Sequence, residues 1–211
     1  MSGAFITVEG IEGAGKSTCM TLLEHVVRTA GHAVLATREP GGTALGEALR
    51  GLLLGHRHDG MASDTELLLM FAARAEHLYA VIEPALARGT WVLCDRFTDA
   101  TYAYQGYGRG VALERIAGLE DWVQGGRRPD LTLLLDLPVE LGLERAGKRS
   151  APDRFESQPG AFFDRVRQGY LALAAAAPAR FRVIDASRDL PEVEAQIEAA
   201  VHGFLATGVK A

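Results

Sequence analysis

Apolar positions along the chain fall into short runs that alternate with longer stretches of helical periodicity. The runs at residues 4–9, 32–37, 90–95, 131–137 and 181–185 predict strands. The periodic stretches at 16–30, 44–54, 64–88, 111–124, 139–146, 161–176 and 191–206 predict helices. Apolar strands separated by helices of this length predict a parallel sheet covered on both faces. The expected class is α/β, a five-stranded parallel sheet with helices on both faces. Residues 1–211 read as a single domain, with no internal repeat or low-complexity linker. In such sheets ligands collect at the carboxyl ends of the strands. The segments after Glu9, after Thr37 and at Asp95 should therefore converge. Residues 147–158, polar and charged between two helices, have the profile of a short mobile lid.

The first of these strand ends carries the strongest chemistry. Gly10-Ile11-Glu12-Gly13-Ala14-Gly15-Lys16-Ser17 matches the phosphate-loop pattern G-x-x-x-x-G-K-[ST] in full, between an apolar run and a helix. The glycines let backbone N–H groups turn toward phosphate oxygens, and the helix behind them presents its positive dipole end. Lys16 is expected to reach the β- and γ-phosphates and the Ser17 hydroxyl to sit on Mg²⁺, with Thr18 completing the ATP-contacting set. At the third strand end, Asp95 and Arg96 lie where phosphates should fall. A carboxylate in that position commonly holds Mg²⁺, directly or through water. Taken alone, Thr37-Arg38-Glu39-Pro40-Gly41-Gly42-Thr43 reads as a turn rich in helix and strand breakers.

Composition narrows the partners. An apolar content of 48% with 23% charged residues is that of a globular protein, and the net charge of −5 argues against nucleic acid or anionic membrane as a partner. Lys16, Lys148 and Lys210 are the only lysines, so nearly all positive charge is arginine. Cys19 and Cys94 are far apart, outside any CxxC spacing, and read as small buried hydrophobes in a reducing compartment. Met1-Ser2-Gly3-Ala4 lacks the basic and apolar segments of a secretory leader, and no apolar run reaches membrane-span length. A cytoplasmic protein is expected.

The motifs together resemble the bacterial thymidylate kinase family, enzymes that phosphorylate dTMP. The likeness rests on the phosphate loop with Glu12 inside it, Thr37–Thr43, and the stretch Phe71-Ala72-Ala73-Arg74. It extends through Asp95-Arg96-Phe97, Thr101-Tyr102-Ala103-Tyr104-Gln105-Gly106 and Asp153-Arg154-Phe155-Glu156. These run in order over most of the chain. The resemblance implies that ATP and dTMP are the substrates and that Mg²⁺ is required. It also implies a homodimer, formed through the helices near 64–88 and 111–124. By the same resemblance Glu12 takes the deoxyribose 3′-OH, while Arg96 and Arg50 grip the dTMP phosphate. Arg74, Thr101 and Gln105 bond the thymine edge, and Tyr104 packs under the sugar, leaving no room for a ribose 2′-OH. The base-stacking residue is Phe71, with Met70 as the alternative.

The chemistry follows from the acceptor. A phosphate monoester is mainly a dianion at neutral pH, so no general base is needed. Catalysis becomes positioning and charge neutralisation by Lys16, Arg96 and the lid arginines Arg149 and Arg154. The family places the catalytic arginine on the lid when the phosphate loop's variable positions lack a basic residue, as Ile11, Glu12, Gly13 and Ala14 do. Adenine is expected between Arg145 or Arg149 and residues 186–189. A kinase for another nucleoside monophosphate or deoxynucleoside is the alternative reading. A nucleotide-switched binding protein is disfavoured by the lack of NKxD and DxxG motifs.

Overall fold

The structure is a computed structural model that describes residues 3–56, 60–148 and 153–207. Five strands, β1 (Phe5–Glu9), β2 (Val34–Arg38), β3 (Trp91–Asp95), β4 (Leu131–Asp136) and β5 (Phe181–Asp185), form one sheet. Every pairing is parallel and the order is β2-β3-β1-β4-β5. The central strand β1 is buried throughout, as expected for a strand covered on both faces. Side-chain alternation splits it between two cores. Ile6 and Val8 join one apolar cluster, with Leu23, Leu133 and Tyr170, while Phe5 joins another on the opposite face, with Ile82, Val92 and Phe97. Each such fully buried side chain is worth about 1.5–3 kcal/mol.

The helices are α1 (Lys16–Thr29), α2 (Ala44–Leu54), α3 (Ser63–His77), α4 (Glu83–Ala87), α5 (Thr98–Thr101), α6 (Leu113–Gln124), α7 (Val139–Gly147), α8 (Gly160–Ala176) and α9 (Leu190–Thr207). Thr43 caps α2, its Oγ1 accepting from the Gly46 N–H at 2.9 Å. The helix expected over 64–88 is interrupted by a π-helical turn, Leu78–Ile82. Pro84 explains it, because proline offers no N–H to the Ala80 carbonyl. The Glu83 N–H instead reaches back to Leu78, the longer bond of a π turn. Residues 98–108 carry no helical periodicity and no element is predicted there. They form α5 followed by a π-helical segment, Tyr102–Gly108. Among the described residues, no helix is long and apolar enough to cross a membrane.

Candidate active site

The phosphate loop links β1 to α1. Gly13 has φ 72° and Gly15 has φ 92°, backbone states that disfavour any side chain. A Cβ on Gly13 would lie 1.9 Å from the Gly142 carbonyl oxygen, so the loop is also packed tightly on α7. The first turn of α1 carries no acidic residue to compete for its dipole, which leaves an anion-binding helix end. Ser17 and Thr18 stand exposed there. Lys16 Nζ donates to the carbonyls of Gly10 (3.1 Å) and Ile11 (2.9 Å), folding the side chain across the loop. Burial lowers its ammonium from 10.5 to about 8, and Arg96 acts in the same direction. Asp95, Glu12 and Glu9 oppose the shift.

Beside the loop, at the carboxyl ends of β1, β2 and β3, lies a cavity of ≈ 220 Å³. Its walls include Glu12, Lys16, Arg50, Met70, Arg74, Asp95, Arg96, Thr101, Tyr104 and Gln105. The three strand-end segments therefore do converge. Residue 96 turns the chain out of β3 in a left-handed conformation, φ 70°, which is costly for a non-glycine residue and typical of functional sites. Arg96 Nη2 donates to Glu12 Oε1 at 3.0 Å, and its guanidinium lies 4.8 Å over the Tyr104 ring. Tyr104 donates its hydroxyl to the same carboxylate at 2.7 and 2.8 Å. Burial pushes the Tyr104 phenol well above its usual value, so it stays a donor. Arg50, half-buried, is held by the Pro40 carbonyl at 2.9 Å.

Arg74 sits deeper, 2% exposed. Its Nε donates to Glu39 Oε2 (2.8 Å) and its Nη2 to Thr101 Oγ1 (2.9 Å), while the buried Nη1 has no partner among the described residues. Gln105 Nε2 donates to Glu66 Oε1 at 2.8 Å. That bond takes one of the amide's two N–H groups and fixes which end of the amide is the oxygen. Asp95 Oδ1 is likewise buried without a hydrogen-bond partner.

Two expected residues stand elsewhere. Phe71 is not on the cavity wall; it is 2% exposed, clustered with Leu67, Val111 and Ile116, and its ring faces the Arg74 guanidinium at 4.8 Å. Met70, one position along α3, lines the cavity instead. Arg154 is drawn away from the phosphate loop by a buried carboxylate: its Nη2 lies 2.7 Å from Glu66 Oε2, and its Nε donates to the Leu53 carbonyl at 2.7 Å. Its neighbours Asp153, Phe155 and Glu156 do line the cavity. Arg149 lies outside the described residues, as do 150–152 of the expected lid. On the far side of the phosphate loop a second cavity, ≈ 180 Å³, is lined by Gly15, Thr18, Arg145, Ala186 and Arg188. Arg145 Nη1 donates to the Ala186 carbonyl there at 2.9 Å.

Sequence reasoning passed over four buried groups that hold this constellation. Glu39 clamps Arg74 and accepts His77 Nδ1 at 3.0 Å, and Glu66 gathers Gln105, Arg109 and Arg154. Glu9 and Tyr170 lie under Arg96. Burial, with the Asp99 charge, raises the Glu9 carboxyl to about 8, against the Arg96 charge and the bonds from Tyr170 and the Phe97 N–H. Only Glu39 had a signal, its place inside the Thr37–Thr43 turn. Neither cysteine is surface-accessible, and burial pushes the Cys19 thiol up to about 12.

Known proteins share this sequence and this fold. The family model for thymidylate kinase matches residues 8–197. A thymidylate kinase of Pseudomonas syringae pv. tomato is 61% identical over 198 residues, 94% of each chain. One from Methylococcus capsulatus is 59% identical over 204 residues, 97% of each. The crystal structure of thymidylate kinase from Ehrlichia chaffeensis superposes with a TM-score of 0.76 at 36% identity, covering 96% of this chain and 99% of that one. The chain belongs to the thymidylate kinase family of ATP-dependent nucleoside monophosphate kinases.

Proposed function

We propose that the larger cavity is the dTMP site and the second cavity the adenine site, so that the γ-phosphoryl group of ATP passes to dTMP across the phosphate loop. The observation that carries this reading is the unpartnered Nη1 of buried Arg74, a residue that lines the cavity together with Gln105. It is a donor awaiting an acceptor. Gln105, its nitrogen held by Glu66, offers a carbonyl oxygen and awaits a donor. Thymine presents that pair, its O4 acceptor next to its N3–H, whereas cytosine presents an amino donor next to a bare nitrogen. Thr101 anchors Arg74 in this scheme, and Met70 packs on the base.

At the other end of the cavity, Arg96 and Arg50 receive the dTMP phosphate, and Glu12 the 3′-OH. The acceptor arrives as a dianion, so the residues supply position and charge rather than a base. Lys16 exchanges its two loop carbonyls for β- and γ-phosphate oxygens. Mg²⁺ fits the Ser17 hydroxyl and the orphaned Asp95 oxygen, both hard oxygen donors. Mg²⁺ commonly takes only one or two protein ligands, with substrate phosphates and water supplying the rest. When bound it neutralises phosphate charge. Arg149 remains the lid arginine for the transferring group, since Arg154 is engaged with Glu66. The lid is residues 147–158 of the single domain.

A homodimer through the helical stretches 64–88 and 111–124 is supported by the exposed apolar side chains Leu68, Tyr79, Leu113 and Trp122, and a cytoplasmic setting by two buried free thiols. Calorimetric titration with dTMP and dCMP tests the base reading. dCMP should bind about 100-fold more weakly or worse, because it leaves Arg74 and Gln105 unpaired. Equal affinities would refute it.

A further inference from the structure

Arg96 holds a backbone conformation that non-glycine residues avoid, φ 70°, and something must hold it there. Glu9, the last residue of β1, is fully buried directly beneath. Its Oε1 accepts from the Phe97 N–H at 2.7 Å, pinning the peptide that leaves Arg96. Its Oε2 accepts from the hydroxyl of Tyr170, on α8, at 2.8 Å. The same hydroxyl oxygen accepts from Arg96 Nη1 at 3.2 Å. One buried carboxyl group thus fixes Arg96 twice, through its backbone and, by way of one phenol, through its guanidinium. The other guanidinium nitrogen, Nη2, is on Glu12, so both terminal nitrogens are aimed before any phosphate arrives. Such preorganisation removes reorganisation from the reaction itself.

We infer that Glu9 and Tyr170 are positioning residues that orient Arg96 toward the acceptor phosphate. This rests on the reading of Arg96 as the grip on that phosphate. Neither residue lines the cavity; the Tyr170 hydroxyl reaches it through Arg96, whereas the Tyr170 ring also meets the Tyr104 ring edge-on at 6.3 Å, a contact that Tyr170→Phe leaves in place.

The test is steady-state kinetics on the full chain with ATP and dTMP, for Tyr170→Phe, Arg96→Ala and the double variant. Tyr170→Phe keeps the ring and deletes only the bridging hydroxyl. It should raise the dTMP KM about tenfold, with the ATP KM changed less than about twofold. Glu9→Gln keeps the volume but must turn its amide nitrogen toward either the Phe97 N–H or the tyrosine, and should shift the dTMP KM in the same direction. In the Arg96→Ala background Tyr170→Phe should add less than about twofold, because the residue it serves has gone. An Arg96→Ala variant with unchanged dTMP kinetics would overturn the phosphate-grip reading, and this inference with it. A costly Arg96→Ala combined with an inert Tyr170→Phe, or with an equal effect of Tyr170→Phe in both backgrounds, would overturn the inference alone. So would equal losses for ATP and dTMP, since a general loosening of the fold predicts those.

Discussion

Tyr104 serves the site with both its ring and its hydroxyl. The hydroxyl binds Glu12, and the ring face carries Arg96. If that ring fills the space of a ribose 2′-OH, sugar selection depends on bulk and not on the hydroxyl. Tyr104→Phe should then keep most of the preference for dTMP over ribothymidine monophosphate, and Tyr104→Ala should lose most of it. The ratio of kcat/KM values for the two substrates decides. An alanine variant as selective as wild type would leave Glu12 to choose the sugar. Residues of this kind were legible where fixed local spacing carries chemistry, as in Gly10–Ser17 and Asp95-Arg96. Glu9, Glu66 and Tyr170 were not, because their partners are 39 to 161 residues away in the chain. An isolated buried carboxylate has no sequence signature until its arginine is found. Phe71 and Met70 show the limit at its finest, since adjacent positions on one helix part company only when the neighbouring helix is in place. Here α6 supplies Ile116 to cover Phe71.

At the scale of elements, apolar strands and amphipathic helices read well because burial itself imposes the pattern. The exceptions are informative. Pro84 breaks a helix whose periodicity runs straight through it, and Tyr102–Gly108 is helical by tertiary support, packed on α8. The segment 153–158 is locally built as well: Asp153 Oδ1 accepts the N–H groups of Phe155 (2.8 Å) and Glu156 (2.9 Å). That turn delivers Arg154 to Glu66 rather than to the phosphates. Arg154→Ala should accordingly lower kcat by less than about tenfold. It should lower the melting temperature by several degrees, because a buried carboxylate loses one of its partners at about 1–3 kcal/mol. Thermal melting and a coupled assay on one preparation check both halves. A loss of about 10²–10³ in kcat at unchanged melting would mean that Arg154 leaves Glu66 during turnover and acts on the transferring group.

Across the whole molecule, the strand order sets the geometry. β1 lies at the centre of the sheet, so the phosphate loop at its end has a cavity on either side, one toward β3 and α3, the other toward α7 and α9. The chain is net negative, yet Lys16, Arg50, Arg74 and Arg96 all border the larger cavity. Glu12, Glu39, Asp95, Asp153 and Glu156 line it too, so where an anion can sit depends on how the cations are placed within the cavity and not on the sum of its charges. The topology and the phosphate site were legible together because one motif joins a strand to a helix. The end proposed to read the base was legible only through family likeness, since Arg74 and Gln105 come from separate elements. A cavity built this way should select thymine deoxynucleotide as the phosphoryl acceptor of ATP. ADP release, measured as kcat/KM for dTMP, dCMP, dAMP and dGMP in turn, tests it most directly. The account predicts dTMP foremost, with dCMP and both purine nucleotides lower by about 10² or more. A rate with dCMP or a purine monophosphate equal to that with dTMP would contradict it.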